Sequence, residues 1–220
     1  MQKGHTIYEA MVFDLDGTLL NTLDDLTDAV NFALQSLGLA QRTREEVCSF
    51  VGDGIARLIE RAVGEAKEQA PKALSIFKEF YAAHCADKTK PYEGILPLLQ
   101  TLKDKGVKTA VLSNKADFVV KALADTYFKG LLLEAVGENE SLGIRKKPAP
   151  DALLAVMERL GVSNNQTLYI GDSEVDIQTA KNAGVACACV TWGFREKAFL
   201  EKNGAEIFID EPNELLGYTL

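Results

Sequence analysis

The segment Val12-Phe13-Asp14-Leu15-Asp16-Gly17-Thr18 places two aspartates at the end of a short apolar run. The run, residues 10–15, is apolar and rich in β-forming residues, which predicts a buried strand of a parallel sheet. In open α/β sheets, ligands bind at the carboxyl ends of the strands, where both acids would lie. Asp14 and Asp16 would share one side of a continued strand, and carboxylates about 4 Å apart repel by several kcal/mol. We therefore expect a cation, a proton or both between them.

Similar β-rich runs recur along the chain and alternate with helical patterns. This alternation is typical of repeated strand-helix units with right-handed crossovers. It predicts an α/β fold with a doubly wound, parallel-sheet (Rossmann-like) core. The predicted strands cover residues 10–15, 107–112, 131–136, 167–170, 185–190 and 207–209, and the predicted helices cover residues 95–105, 116–127, 152–160 and 174–183.

One interval breaks the alternation because it contains helical patterns and no convincing strand. Apolar residues recur at helical spacing from residue 23 to residue 37, and Thr43 with Glu46 can form a capping box at the start of a further helix. A helical insertion packed as a bundle is the simplest interpretation. We therefore predict two domains, an α/β core of residues 1–20 and 88–220 and an inserted α-helical cap domain of residues 21–87.

The two aspartates of the first segment have a simpler interpretation, since Asp16-Gly17 could be only the turn that follows a strand. Other predicted strand ends weaken that interpretation because they carry matching polar residues. Ser113-Asn114 follows the second strand, and Lys147-Pro148-Ala149-Pro150 precedes a helix. The acidic segment Gly171-Asp172-Ser173-Glu174-Val175-Asp176 follows the fourth strand. We expect the four segments to converge on one rim of the sheet.

In this order, the four segments resemble the four motifs of the haloacid dehalogenase superfamily of phosphohydrolases. The resemblance covers nearly the whole chain, and the ordered combination of Asp-x-Asp-Gly-Thr, Ser-Asn, Lys-Pro-x-Pro and Gly-Asp-Ser-x-x-Asp is highly specific. It implies a phosphatase in which Asp14 attacks phosphorus and forms an aspartyl phosphate. Asp16 would protonate the leaving oxygen and then deprotonate the attacking water.

The resemblance also implies which other residues hold the phosphoryl group. Ser113 would donate a hydrogen bond to it, helped by exposed amides around Gly17, Thr18 and Asn114. Lys147 would neutralise the nucleophile and a phosphate oxygen. The alternative for Lys147 is a solvated surface residue, because its two preceding neighbours are also basic.

By the same resemblance, the expected cofactor is Mg2+. Asp172 would bind the ion together with Asp14 and the backbone carbonyl of Asp16, since hard oxygen ligands suit Mg2+. Asp176 lies one helical turn beyond Asp172 and can face the same site, where it would bind the metal or hold a metal-bound water or the other ligands. A salt-bridged helix residue is the alternative for Asp176.

In this superfamily, an insertion directly after the first motif forms a mobile cap, which implies that residues 21–87 select the substrate. Within it, Val51-Gly52-Asp53-Gly54 is similar to the cap's specificity loop, and Arg57 follows one turn later; an ordinary helix-joining turn is the alternative. Residues 14–34 and the loop at 50–54 most resemble phosphoglycolate phosphatases. Phosphoglycolate is therefore the expected substrate.

Several alternatives stay open. A sugar phosphomutase of the β-phosphoglucomutase type keeps both acids, but its cap begins with a His that residues 21–30 lack. A broad-specificity phosphatase of sugar phosphates or nucleotides also fits. Asn21-Thr22 and Glu93 depart from common phosphoglycolate phosphatase residues, which loosens the substrate assignment. Outside these enzymes, a receiver-like signalling domain or a catalytically silent binding protein would be the competing classes.

Composition limits the partners of the protein. The 220-residue chain has a net charge of -8, which argues against nucleic acid because phosphate backbones are held by clustered Lys and Arg. A small phosphorylated metabolite is the expected partner. The first residues lack the apolar stretch of a signal peptide, and no run approaches membrane-spanning length. We therefore expect a cytoplasmic monomer or homodimer without a membrane partner.

Overall fold

The computed structural model describes residues 6–139 and 145–220 of the chain. It divides into two compact units: Leu20–Lys90 forms the helical unit, and the rest of the chain forms the sheet unit. The sequence predicts the inserted domain at residues 21–87. The helical unit thus begins one residue earlier and ends three residues later than that interval.

The sheet unit is built on a six-stranded parallel sheet. This confirms the predicted α/β class with a doubly wound parallel core. Its strands are β1 (Ala10–Phe13), β4 (Lys108–Ala116), β5 (Glu134–Glu138), β6 (Thr167–Gly171), β7 (Ala186–Val190) and β8 (Ile207–Ile209). Two further short strands of the described residues, β2 (Leu20–Asn21) and β3 (Lys90–Pro91), form a separate two-stranded sheet. The helices are α1 (Leu23–Ser36), α2 (Arg44–Phe50), α3 (Ile55–Val63), α4 (Ala70–His84), α5 (Ile95–Asp104), α6 (Asp117–Tyr127), α7 (Asp151–Leu160), α8 (Glu174–Ala183) and α9 (Lys197–Lys202).

The order of the strands sets the position of the site. Across the sheet the order is β5-β4-β1-β6-β7-β8, so the chain moves from central β1 to one side and later returns to build the other side. The crevice at the carboxyl ends of the strands where the order reverses is the usual ligand site of such sheets. Asp14 directly follows β1 and therefore lies at this crevice.

Strand β1 lies at the centre of the sheet and is completely buried. Its residue Val12 lies opposite Ala110 of β4 and Tyr169 of β6. Apolar side chains of α7 and α8 pack with them in one core cluster. A strand covered on both faces needs a continuous apolar sequence, which explains why this run predicts a strand correctly.

The third predicted strand is displaced in the structure. The sequence places it at residues 131–136, whereas β5 covers Glu134–Glu138. The Leu131 amide donates to the Phe128 carbonyl in a turn, and Leu133 is largely exposed in the connection. The apolar character of this connection explains the shifted prediction, since hydrophobicity alone does not distinguish a strand from the segment that leads into it.

The helical unit consists of α1 to α4, and α1 packs against the other three helices. The predicted capping box begins α2: the Glu46 amide donates to Thr43 Oγ1 at 3.2 Å, and the Thr43 amide donates to Glu46 Oε2 at 2.7 Å. A buried carboxylate, Asp25, accepts hydrogen bonds from the backbone amides of Lys88 and Thr89 at the end of the unit. In the described part of the chain, no helix is both long and apolar enough to cross a membrane.

Candidate active site

The first part of the site is the turn that follows β1. The Asp14 amide continues the strand by donating to the Ile170 carbonyl at 2.8 Å, and the chain then turns so that the Leu19 amide donates to the Leu15 carbonyl. Gly17 adopts a φ of 82°, and a Cβ atom there would lie only 2.7 Å from Asp172 Cγ. Only glycine fits this turn, because any side chain would displace the Asp172 carboxylate.

Asp172 directly follows β6 and is buried against this turn. Its Oδ1 accepts a hydrogen bond from Thr18 Oγ1 at 3.3 Å, and its Oδ2 accepts one from the Phe194 amide at 2.7 Å. Burial raises the pKa of Asp172 well above its ordinary value, and the nearby Asp176 and Asp14 carboxylates raise it further. An ionised Asp172 therefore needs a cation close to it.

Asp176 is completely buried at the start of α8 and ties several segments together. Its Oδ2 accepts hydrogen bonds from the amides of Asp172 and Ser173 and from Ser173 Oγ at 2.6 Å, which caps the helix. Its Oδ1 lies 3.1 Å from the Tyr169 hydroxyl and 2.8 Å from Lys147 Nζ. Both oxygens of Asp176 are therefore already held by protein donors.

Lys147 is the cation of this cluster, and only 4% of its side chain is exposed. Its Nζ lies 2.8 Å from Asp14 Oδ1 and 2.8 Å from Asp176 Oδ1. The Asn114 side chain fixes the lysine backbone through two hydrogen bonds, of 3.0 Å to the Lys147 carbonyl and 2.8 Å from its amide. Burial favours the neutral amine, but Asp14 and Asp176 outweigh it and raise the pKa of Lys147 well above its ordinary value. Lys147 is thus a buried, charged residue of the cluster.

The charge of Asp14 is only partly compensated by its surroundings. Burial raises its pKa to about 7; the attraction of Lys147 opposes this rise, and the Asp176 and Asp16 carboxylates add to it. Although Lys147 lies close enough for an ion pair, Asp14 Oδ1 receives no well-aligned hydrogen bond from the described residues. A buried carboxylate with an oxygen that lacks a well-aligned hydrogen bond is a favourable ligand for a cation.

The arrangement fits a hard divalent cation. Carboxylate oxygens of Asp14, Asp172 and Asp176 lie within 4.8 Å of one another. Oxygen-only ligands of this type are those that Mg2+ prefers. A divalent cation here would also favour the ionised forms of Asp14 and Asp172, whose pKa values burial raises. Each oxygen of Asp172 accepts one hydrogen bond from the described residues, whereas Asp176 accepts three on Oδ2 and contacts Lys147 and Tyr169 through Oδ1. Asp14 and Asp172 are therefore the better placed ligands.

Asp16, the second acid of the first segment, forms an ion pair with a lysine. Asp16 Oδ1 lies 3.0 Å from Lys115 Nζ, and the side chains are 13% and 4% exposed. The Lys115 amide donates to Ser113 Oγ at 3.2 Å, which places Ser113 at the same end of β4. The expected residues of the four segments are therefore brought together at the ends of β1, β4 and β6 and at the start of α7.

Sequence reasoning missed several residues that hold this site. Lys115 and Tyr169 contact its acids, and the connection after β7 supplies both the Phe194 amide and the Trp192 indole, which donates to the Thr18 carbonyl at 3.0 Å. The position of Lys115 directly after Ser113-Asn114 could have indicated that it lies at the site. A second indication was that residues 191–194 follow the end of another predicted strand.

The predicted substrate loop lies in the helical unit, in the connection between α2 and α3. Gly52 and Gly54 adopt φ values of 128° and 85°, which few other residues adopt. Asp53 forms an ion pair with Arg61, and exposed Arg57 pairs with Glu60 at 2.6 Å. Substrate binding by Gly52, Asp53, Gly54 and Arg57 stays a prediction.

Comparisons with known proteins agree with the resemblance of the motifs. A family model for haloacid dehalogenase-like hydrolases matches residues 11–190. Phosphoglycolate phosphatase 1 of Pseudomonas aeruginosa is 35% identical over 213 residues, which cover 94% of this chain and 78% of the relative. The phosphoglycolate phosphatase of Aquifex aeolicus is 32% identical over 206 residues, which cover 94% of each protein.

A solved structure is similar over the whole fold. The crystal structure of a proposed phosphoglycolate phosphatase from Lactobacillus delbrueckii subsp. bulgaricus is 38% identical, with a TM-score of 0.91, and the match covers 97% of this chain and 99% of that one. The predicted resemblance and the prediction of a hydrolase are confirmed. The chain belongs to the haloacid dehalogenase-like hydrolase family and resembles its phosphoglycolate phosphatases.

Proposed function

We propose that the protein is a Mg2+-dependent phosphoric monoester hydrolase that acts on phosphoglycolate through an aspartyl phosphate on Asp14. The observation that carries this proposal is the buried bridge in which Lys147 Nζ lies 2.8 Å from both Asp14 and Asp176. The bridge supports a role as nucleophile because it holds Asp14 at the carboxyl end of β1 and offers a cation to an approaching phosphate. An anionic nucleophile can attack an anionic ester only if such charge repulsion is offset.

The reaction would proceed in two steps on the residues of the rim. Asp14 attacks phosphorus, and the bond to the ester oxygen breaks while Asp16 gives that oxygen a proton. Asp16 then takes a proton from a water molecule, which attacks the aspartyl phosphate and releases phosphate from Asp14. Ser113, Lys147 and amides around Gly17, Thr18 and Asn114 would stabilise the charge on the phosphoryl oxygens.

Asp14 and Asp172, together with the backbone carbonyl of Asp16, would hold Mg2+. When bound, the ion supplies positive charge that screens the carboxylates and polarises the phosphoryl group. The contacts of Asp176 support a positioning role, because it holds Lys147, the Asp172 amide and the start of α8. Direct metal binding by Asp176 would require some of those contacts to change.

The substrate assignment rests on similarity to phosphoglycolate phosphatases across nearly the whole chain. We propose that the helical unit acts as a cap and contributes to substrate choice through Gly52, Asp53, Gly54 and Arg57. The net charge of -8 argues against nucleic acid as a partner. We further propose a small phosphorylated metabolite as partner, a cytoplasmic location and no membrane partner. A monomer or homodimer is proposed, and size-exclusion chromatography with light scattering would distinguish the two.

Phosphate release tests the proposed function. Phosphoglycolate, a sugar phosphate and a nucleoside monophosphate are compared in Mg2+ and again in excess EDTA. We expect turnover that needs the metal and is strongest on phosphoglycolate; preference for another ester would change the substrate, and no turnover of any ester would contradict a phosphatase.

The nucleophile is tested with Asp14→Asn. This variant should lose turnover by several orders of magnitude, whereas Asp125→Asn, an exposed acid on α6, should behave as wild type. Mass spectrometry of acid-quenched protein should detect a phosphoryl adduct in wild type and not in Asp14→Asn. Full activity of Asp14→Asn would remove Asp14 as the nucleophile.

A further inference from the structure

Lys115 is a buried cation that the proposed reaction does not use. Its side chain is only 4% exposed, and its Nζ lies 3.0 Å from Asp16 Oδ1. Removing an ammonium group from water costs several kcal/mol unless it is paired well. Asp16 offsets this cost, and a buried ammonium group beside the reacting residues can also bind an anionic group of a substrate.

The end of β4 holds Lys115 in this position. The register between β4 and β5 shifts between Leu112 and Ala116, and irregularities of this kind redirect side chains near active sites. Gly137 of β5 packs against the irregular segment: a Cβ atom there would lie 2.6 Å from the Lys115 carbonyl oxygen. The Gly137 amide also donates to Asp117 Oδ1 at 3.1 Å. The chain around Lys115 therefore packs closely against Gly137 of β5.

The two buried lysines of the site contact different acids. Lys147 contacts Asp14, which attacks phosphorus, whereas Lys115 contacts Asp16, which protonates the departing oxygen in the proposed reaction. Lys115 therefore lies beside the position of the leaving group. In phosphoglycolate a single methylene group separates the ester oxygen from the carboxylate, so this carboxylate would lie within a few ångströms of Asp16.

We propose that Lys115 binds a carboxylate on the leaving group and thereby selects small phosphate esters that carry a second negative charge. This inference rests on the proposed function and deepens it, since it assigns the recognition of the alcohol portion of the substrate to a residue of the sheet unit. A charge-assisted hydrogen bond from an ammonium group to a carboxylate is stronger than one between neutral groups. In a chain with a net charge of -8, recognition of a doubly anionic ester depends on such local cations.

The test compares two esters that differ only in that charge. Phosphoglycolate is paired with 2-hydroxyethyl phosphate, in which a neutral hydroxymethyl group replaces the carboxylate. We expect Lys115→Met to lower the ratio of kcat/KM for phosphoglycolate to that for the neutral ester about 10- to 100-fold. Lys115→Arg, which keeps the charge, should retain the ratio within about 3-fold.

An inhibition measurement separates binding from proton transfer by Asp16. The unreactive phosphonates 3-phosphonopropionate and 3-hydroxypropylphosphonate differ in the same charge, and their inhibition constants are measured against one substrate. Wild type and Lys115→Arg should favour the carboxylate, and Lys115→Met should not. If Lys115→Met proves too unstable to purify, Lys115→Gln is measured with the same pairs.

The outcomes distinguish this inference from the proposed function. Equal losses on both esters, with unchanged ratios of the inhibition constants, would show that Lys115 acts only through Asp16 and would overturn the inference. A wild type that does not prefer the carboxylate would overturn it as well. A wild type that hydrolyses neither these esters nor a sugar phosphate or nucleotide in Mg2+ would instead contradict the proposed function.

Discussion

Replacement of Asp14 by asparagine is expected to stabilise the metal-free protein while it abolishes turnover. Burial raises the pKa of Asp14 from 3.8 to about 7. A rise of about 3 units corresponds to a cost of about 4 kcal/mol for the ionised carboxylate, at about 1.4 kcal/mol per unit. The asparagine variant lacks this buried charge. However, its side-chain amide would not form all of its hydrogen bonds, and Lys147 would lose one of its two carboxylate partners. We therefore expect a net gain of about 1–3 kcal/mol, or about 2–12 °C in Tm.

The stability difference between wild type and Asp14→Asn should depend on pH in a definite direction. Because the pKa of Asp14 is higher in the folded protein than in the unfolded chain, the folded state binds more protons between about pH 4 and 7. The stability of the wild type therefore falls as the pH rises through that range, whereas Asp14→Asn lacks this contribution. The advantage of the variant should be complete above about pH 7 and clearly smaller at pH 5.

Urea unfolding in EDTA at pH 5 and pH 8 measures the difference, with Asp125→Asn as the exposed control. Added Mg2+ should then stabilise the wild type by about 2.7 kcal/mol at a concentration 100 times its Kd, and should stabilise Asp14→Asn less. A variant that is less stable than wild type at pH 8 in EDTA would refute the reasoning. So would an equal difference at both pH values.

Three further changes test other parts of the site. Asp172→Asn should weaken Mg2+ binding at least about 10-fold, measured by titration calorimetry, because it removes one of the two best placed ligands. Gly17→Ala should lower both stability and turnover, because its Cβ would lie 2.7 Å from Asp172 Cγ and its φ would be 82°. A variant with the same Tm as wild type would contradict this. Asn114→Ala removes two hydrogen bonds to the Lys147 backbone and should cost about 1–3 kcal/mol in urea unfolding, together with a fall in kcat.

Local patterns in the sequence predict most of the sheet and the polar residues at its rim. Continuous apolar runs identify β1 and β6 because both are buried on each face, and such strands tolerate few polar residues. The same criterion fails at residues 131–133, where apolar residues form a connection instead. Hydrophobicity reports burial more directly than it reports backbone conformation.

Contacts between distant segments explain what sequence reasoning missed. Tyr169 lies in the middle of an apolar run, and nothing local indicates that its hydroxyl reaches Lys147 and Asp176. The Phe194 amide donates to Asp172 from a segment after β7. The position of that segment after a predicted strand indicates the rim of the sheet but not the partner of the amide. Polar groups in a buried network have to be bonded, but the identity of their partners depends on tertiary packing.

The central position of β1 has a consequence for synthesis on the ribosome. Ala10 of β1 pairs with Lys108 of β4 and with Thr167 of β6, so β1 acquires its second neighbour only after about 160 more residues have been translated. At about 5–20 residues per second, roughly 160 residues take about 8–30 s to add. During that delay a fully apolar strand has an unpaired edge, which favours association with chaperones or with other nascent chains. Ribosome-bound chains that stop before residue 167 should therefore aggregate more readily than chains that include β6.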